Sequence, residues 1–367
     1  MELPYSKQLD IAHFSRLFDN KSECYKLFWF QALAGKIKDG ETVISFEELI
    51  DEMIADAWYM VSEYHLNLGP SNALEKVVLR LGEISDLKPC EKREKILEYL
   101  KDCSDRDVVS MKRILSQNVP YRLQAPLMES MKGEEWKRSG RGLAERINQE
   151  KRLIYYFLEF RGIHTRIEVQ EEWTEYIRRN YEIIQGWAAW NLIYYLQKRN
   201  PSVPGIADKI YPPRERNLEK VKKYWKTIVS LAPTYDIYGK QPLQGNDISI
   251  DHFVPWSYVA HDELWNLIPT TKRINSSKSN RLPDWNAYFP ALGKTEYASY
   301  EMVWKYPRVH HEFELCAKEH LNNPEIRHRL YRNGLSEPEF LRQLEEVVSP
   351  VYQSAKNMGF SSWILQE

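Results

Sequence analysis

The chain of 367 residues sets 51 lysines and arginines against 52 aspartates and glutamates, a net charge of −1. This near-neutral balance excludes a globally basic nucleic-acid binder, so any contact with phosphates must come from a local patch. With 43% hydrophobic and 13% aromatic residues, including 12 Trp and 23 Tyr, the composition excludes disorder and supplies ample core; the length is that of two or three domains.

Cys24, Cys90, Cys103 and Cys316 lie far apart, and none has C-x-x-C spacing. That usage reads as a reduced intracellular protein. The N-terminal MELPYSKQLD lacks a charged-then-apolar signal pattern, and no apolar run is long enough to span a bilayer. A cytoplasmic location with no membrane partner is therefore expected.

In chain order, residues 1 to about 110 read as helical. Lys21 to Ala34 holds a dense apolar patch with Tyr25, Phe28, Trp29 and Phe30. Ser45-Phe46-Glu47-Glu48 is a capping box, followed at helical spacing by Leu49, Ile50, Met53, Ile54, Ala57 and Trp58. Leu68-Gly69-Pro70-Ser71 stops that helix. Aromatic stripes at this spacing read as core. Pro120 to Gly142 is irregular and contains the basic loop Trp136 to Gly142, with Arg138, Ser139 and Arg141; a solvent loop is preferred to a nucleic-acid contact there. Trp173 to Arg199 is expected to form one long amphipathic helix with Tyr176, Ile177, Ile183, Ile184, Trp187, Trp190, Asn191 and Tyr194 on or near one face.

Asn200 to Pro213 carries Pro201, Pro204, Pro212 and Pro213 and is the best domain boundary. A basic helix follows, Asn217 to Leu231, with Lys220, Lys222, Lys223 and Lys226 around Trp225. After Pro283, helices are expected over Tyr297–Trp304, His310–Leu321 and Glu337–Met358. The adjacent His310 and His311 read as surface residues.

The stretch from Asn246 to Asn280 is the most informative. Ile248, Ile250 and Phe253 predict a short strand with His252 near its end, closed by Pro255. Leu264 to Ile268 predicts a second strand, ended by Pro269. Thr270 or Thr271 then caps a helix running to about Asn280, which puts Asn275 and Lys278 on one face. Two strands against one helix bring Asp251, His252 and Asn275 together. A carboxylate and an amide oxygen suit one hard divalent cation, magnesium or manganese, and an imidazole suits a base near neutral pH. From Thr270 to Arg281 the four charged residues, Lys272, Arg273, Lys278 and Arg281, are all basic and form a candidate nucleic-acid-binding patch. His261 lies in the loop between the strands and receives no catalytic role.

These residues carry a resemblance. The Asp-His pair of SIDHFVP, Asn266 in LWNL, and Asn275 with Lys278 in INSSK resemble the HNH endonucleases, the ββα-metal nucleases, over roughly residues 217 to 285. The resemblance implies metal ligands Asp251 and Asn275, a general base His252, an orienting Asn266 and a catalytic, phosphate-holding Lys278. It also implies hydrolysis of DNA to 5′-phosphate and 3′-hydroxyl ends. Many members bind a structural zinc through two Cys pairs. Here those positions fall near Tyr235 and Tyr238 and at Thr271 and Ile274, so no structural zinc is expected, and Tyr235, Tyr238, Trp256 and Trp265 are the candidates for packing in its place.

The expected architecture is mostly α: a helical domain over 1–199, an HNH nuclease domain over 200–290 and a C-terminal helical segment over 291–367 that packs on it. The expected function is a metal-dependent DNA endonuclease, with restriction or phage defence as family analogies. The alternatives are a non-catalytic module that binds nucleic acid or protein on a degenerate HNH fold, and an RNA-directed nuclease. The N-terminal domain would target, sense, bind a protein partner or self-assemble.

Overall fold

The computed structural model describes residues 2–19, 23–70, 72–137, 140–211 and 217–366. Expectations that fall on Lys21, Ser71, Arg138, Ser139, Pro212 and Pro213 lie outside the described residues. The fold is mostly helical, with small sheets only. Among the described residues no helix is long and apolar enough to cross a membrane. The chain divides into two compact units, Met1–Pro201 with Lys209–Pro212, and Ser202–Asp208 with Pro213–Glu367.

In the first unit, helix α1 (Tyr25–Asp39) leads to strand β1 (Val43–Ser45) and helix α2 (Phe46–Ser62). Ser45 caps α2 as its sequence dictates: its hydroxyl accepts the Glu48 N–H while the Glu48 carboxylate accepts the Ser45 N–H. Helices α3 (Ala73–Ile84) and α4 (Arg106–Leu115) stack on α2 in turn. Asn72 and Asp105 cap them through side-chain oxygens.

Three strands of this unit, β1 among them, depart from the helical expectation. β2 (Tyr155–Glu159) and β3 (Arg166–Val169) join β1 in an antiparallel sheet of order β1-β3-β2. The alternating exposure of Arg166-Ile167-Glu168-Val169 is the period-two pattern of a half-buried strand. The helix expected over Trp173 to Arg199 is two helices, α5 (Glu171–Arg179) and α6 (Tyr181–Arg199), broken at Asn180. Its proposed apolar face also splits. Ile184 and Trp187 are buried, with Trp187 stacked on Phe18, whereas Ile183, Trp190 and Tyr194 are exposed along a line of the helix beside Trp187.

The second unit begins with helix α7 (Glu219–Leu231). Strand β4 (Ser249–His252) pairs antiparallel with β5 (Leu267–Thr270), in register Asp251 with Ile268 and His252 with Leu267. Thr271 caps helix α8 (Lys272–Lys278) by accepting the Ile274 N–H. Strand β5 corrects the expected Leu264–Ile268. Leu264–Asn266 forms a 3-10 turn, and Pro269 lies inside the strand opposite Ile250. Proline is tolerated because this sheet has two strands only, so each has an edge that needs no N–H donor.

Helices α9 (Trp285–Lys305), α10 (Pro307–His320) and α11 (Glu337–Asn357) follow. Helix α9 starts at Trp285, capped by Asp284, and runs through Pro290, well before the expected start at Tyr297. The C-terminal helices and the ββα unit share one core, which includes Trp225, Phe253, Leu267, Phe313, Tyr331, Phe340, Tyr352 and Trp363. Burying each of these large side chains contributes about 1.5–3 kcal/mol. Trp225 also donates its indole N–H to the Leu267 carbonyl at 3.0 Å, tying α7 to β5.

Candidate active site

The site is built where β4 ends. Asp251 and His252 are its last two residues, and helix α8 lies against the strand. Asn275 on α8 donates through Nδ2 to the Ser249 hydroxyl and to the Ile250 carbonyl, both at 2.9 Å. These bonds hold the helix beside Asp251 and turn the acceptor Oδ1 to the other end of the amide.

Asp251 is 3% exposed and Lys278 1%. Lys278 Nζ donates to Asp251 Oδ1 at 3.0 Å and to the His252 carbonyl at 2.7 Å. Tyr238 donates its hydroxyl to Asp251 Oδ2 at 2.6 Å. Burial, with the Asp251 charge adding to it, pushes the Tyr238 phenol well above its usual range, so it stays a donor. Burial lowers the Lys278 ammonium, opposed by the Asp251 charge. This placement corrects the expectation of a phosphate-holding Lys278. The ammonium is enclosed and spent on the strand, because Lys278 lies on the inner face of α8 with Ile274. The exposed basic residues of the patch are Lys272, Arg273 and Arg281.

Asn266 is fully buried and grips the loop after His252 with both ends of its amide. Its Oδ1 accepts the Val254 N–H at 2.7 Å, its Nδ2 donates to the Val254 carbonyl at 2.9 Å, and its own carbonyl accepts the Phe253 N–H. The backbone on both sides of Phe253 is thereby fixed, and with it the exit of the chain from His252.

Two aspartates at this site have no counterpart in the sequence reading. Asp262, in the loop between β4 and β5, contacts His252 Nε2 through Oδ1 at 2.7 Å. A carboxylate can only accept, so Nε2 carries the proton and Nδ1 is the basic ring nitrogen. Asp236 is buried and holds the turn in front of the sheet. Its Oδ1 accepts the N–H groups of Tyr238 and Gly239, both at 2.8 Å, and Oδ2 accepts the Thr270 hydroxyl. The signal for Asp236 was in the sequence, as an Asp ahead of a Tyr-Gly turn. No spacing rule marks Asp262.

Asp236 and Tyr238 thus tie down the turn ahead of β4. Tyr238 packs against Tyr288 and Trp363, and Trp265 is buried. Tyr235, expected to share in this packing, is 56% exposed and does not. It pairs with Pro242 in an isolated bridge through its backbone, which leaves its ring in solvent.

The donor types, a carboxylate and an amide oxygen, suit a hard divalent cation, which would share Asp251 with the Lys278 ammonium on Oδ1 and the Tyr238 hydroxyl on Oδ2 and compete with that ammonium for the carboxylate charge. No group of three or more His, Cys, Asp or Glu side chains that could hold a metal occurs among the described residues. A cation here would take two protein ligands, with water and substrate oxygens completing its shell, a pattern usual for magnesium.

Two antiparallel strands and one helix, with Asp-His ending the first strand and Asn on the helix, define a ββα unit of the nuclease type. Residues 236–284 match the family of HNH endonucleases, within a larger chain. The match starts at the Asp236 turn and ends at the α9 cap, so the Trp225 helix and all of α10 and α11 lie outside it. No curated protein and no solved structure matches the chain.

Proposed function

We propose that this protein is a metal-dependent endonuclease that hydrolyses DNA phosphodiesters with His252 as general base. The observation that carries the reading is the His252 imidazole held through Nε2 by Asp262, beside the Asp251 carboxylate at the same strand end. His252 Nδ1 takes the proton from the attacking water, and the Asp262 carboxylate stabilises the imidazolium that results. Asn266 fixes the backbone that follows His252, and Lys278 fixes its carbonyl. Tyr238 and Lys278 orient the Asp251 carboxylate, and the two strand bonds of Asn275 orient its amide. A magnesium or manganese ion on Asp251 and Asn275 would supply Lewis-acid stabilisation of the developing phosphate charge. Lys272, Arg273 and Arg281 hold flanking phosphates from the solvent side of α8.

Three exposed cations neutralise few phosphates, so the unit alone binds weakly and without sequence preference. The first unit supplies targeting, by gripping substrate or by recruiting a partner. The test is cleavage of plasmid, linear duplex, single-stranded DNA and RNA by the whole chain with magnesium, manganese or EDTA. Metal-dependent scission of DNA is expected. Cleavage that EDTA leaves untouched, or that is confined to RNA, contradicts the proposal.

A further inference from the structure

We infer that the C-terminal end of helix α10 is a clamp that positions Asp262 against the general base, a role that rests on the reading of His252 given above. His320, the last residue of α10, donates Nδ1–H to the Asp262 carbonyl at 2.8 Å. A carbonyl only accepts, which fixes that tautomer. Asn322 donates its backbone N–H at 3.2 Å and its Nδ2 at 2.9 Å to one oxygen of Glu263. Three donors from residues 320–322 therefore grip two adjacent residues of the loop between β4 and β5. His320 and Glu263 are both buried.

The grip has a direction. His320 holds the main chain of Asp262, and the side chain of the same residue reaches His252 Nε2 at 2.7 Å. A loop fixed at its carbonyl and at the next side chain has little freedom to swing the Asp262 carboxylate away. Without the clamp the Asp262 main chain loses the His320 bond, and a misplacement of about 1 Å at a catalytic group can cost on the order of 10²-fold in rate. His320 and Asn322 are thus positioning residues, acting through Asp262. They lie outside the segment that matches the HNH family. The clamp gives the C-terminal helices a part in the chemistry beyond burying the core.

The experiment compares His320→Leu, which removes the donor, with His320→Asn, whose Nδ2 can reach the same carbonyl. Both are made in the full chain, and DNA cleavage and the ¹⁵N–¹H resonances of the His252 ring are measured. His320→Leu is expected to lower kcat about 10–100-fold with KM little changed and to shift or lose the His252 Nε2–H signal. His320→Asn is expected to restore both to near wild type. In an Asp262→Asn background, His320→Leu should cost nothing further, because its effect passes through that carboxylate. A purely structural residue would instead multiply the two losses, and that result overturns the clamp. Should His320→Leu fold poorly, Asn322→Ala removes one exposed donor only and should lower kcat a few-fold in the same way. A wild type that cleaves while His320→Leu matches it, with the His252 signal unmoved, refutes the clamp and leaves the nuclease reading standing. A wild type with no cleavage refutes the nuclease reading, and the ring resonances alone then decide the clamp.

Discussion

In the first unit Lys112 on α4 reaches Asp51 on α2 at 2.5 Å; in the second, Lys278 on α8 reaches Asp251 on β4 at 3.0 Å. Both lysines are buried. The pairs are chemically alike, and their surroundings separate them. Asp51 sits among the acidic neighbours Glu47 and Glu52, and burial lifts its carboxyl to about 6. Its pairing ties one helix to another. Asp251 accepts a second donor from Tyr238, and its lysine also holds the carbonyl of His252. A buried ion pair is thus no mark of function by itself, since its desolvation cost offsets much of its attraction. The mark is convergence, with one lysine fixing both an acidic side chain and the backbone of an adjacent imidazole.

The sharpest way to break the comparison is to remove each acid in turn. Asp251→Ala and Asp51→Ala each leave a buried ammonium without its carboxylate, so each should cost on the order of 3–5 kcal/mol. Chemical denaturation should show the loss in the second unit for Asp251→Ala and in the first unit for Asp51→Ala. Activity per folded molecule should separate them completely, with cleavage kept by Asp51→Ala and lost in Asp251→Ala. Equal activity losses would erase the distinction drawn here.

Asp262→Asn sharpens the site from its other end. The amide keeps the size of the carboxylate but cannot stabilise an imidazolium, and cleavage should fall about 10–100-fold. An unchanged rate would remove Asp262 from the mechanism.

These two aspartates show where sequence reading runs out. Asp251, His252, Asn266 and Asn275 could be picked out because their order follows a strand, a strand and a helix, and local signals mark those elements: Pro255 after the strand and Thr271 at the cap. Asp262 reaches His252 only through the path of an irregular loop, and its own support comes from His320, far along the chain. Lys278 was visible as a basic residue, but composition does not tell an ammonium turned toward solvent from one buried on a strand. The bounds of β5 differ from the expected Leu264–Ile268 for a simpler reason: a proline such as Pro269 reads as a stop, although a two-stranded sheet leaves an edge where proline fits. In the first unit, Arg166 to Val169 alternated clearly but belongs to a sheet whose other strands carry weaker patterns.

The smallest effect lies in pH. The Asp51 carboxyl binds its proton near pH 6 when folded and near 3.8 in the unperturbed state. Between these values the folded state holds more protons, so the first unit should lose stability as pH rises from about 4 to about 6, by on the order of 1–3 kcal/mol. Asp51→Asn should flatten that slope. A flat profile in the wild type would mean that Lys112 fully offsets the burial of its partner.

The most direct measurement of the central claim is DNA cleavage by His252→Ala beside the wild type, in magnesium or manganese and at matched folding and DNA binding. The account predicts that the substitution lowers the rate by about 10²–10⁴-fold, the usual contribution of a general base, while the melting curve and substrate affinity stay close to wild type. Cleavage by His252→Ala at the wild-type rate would contradict it.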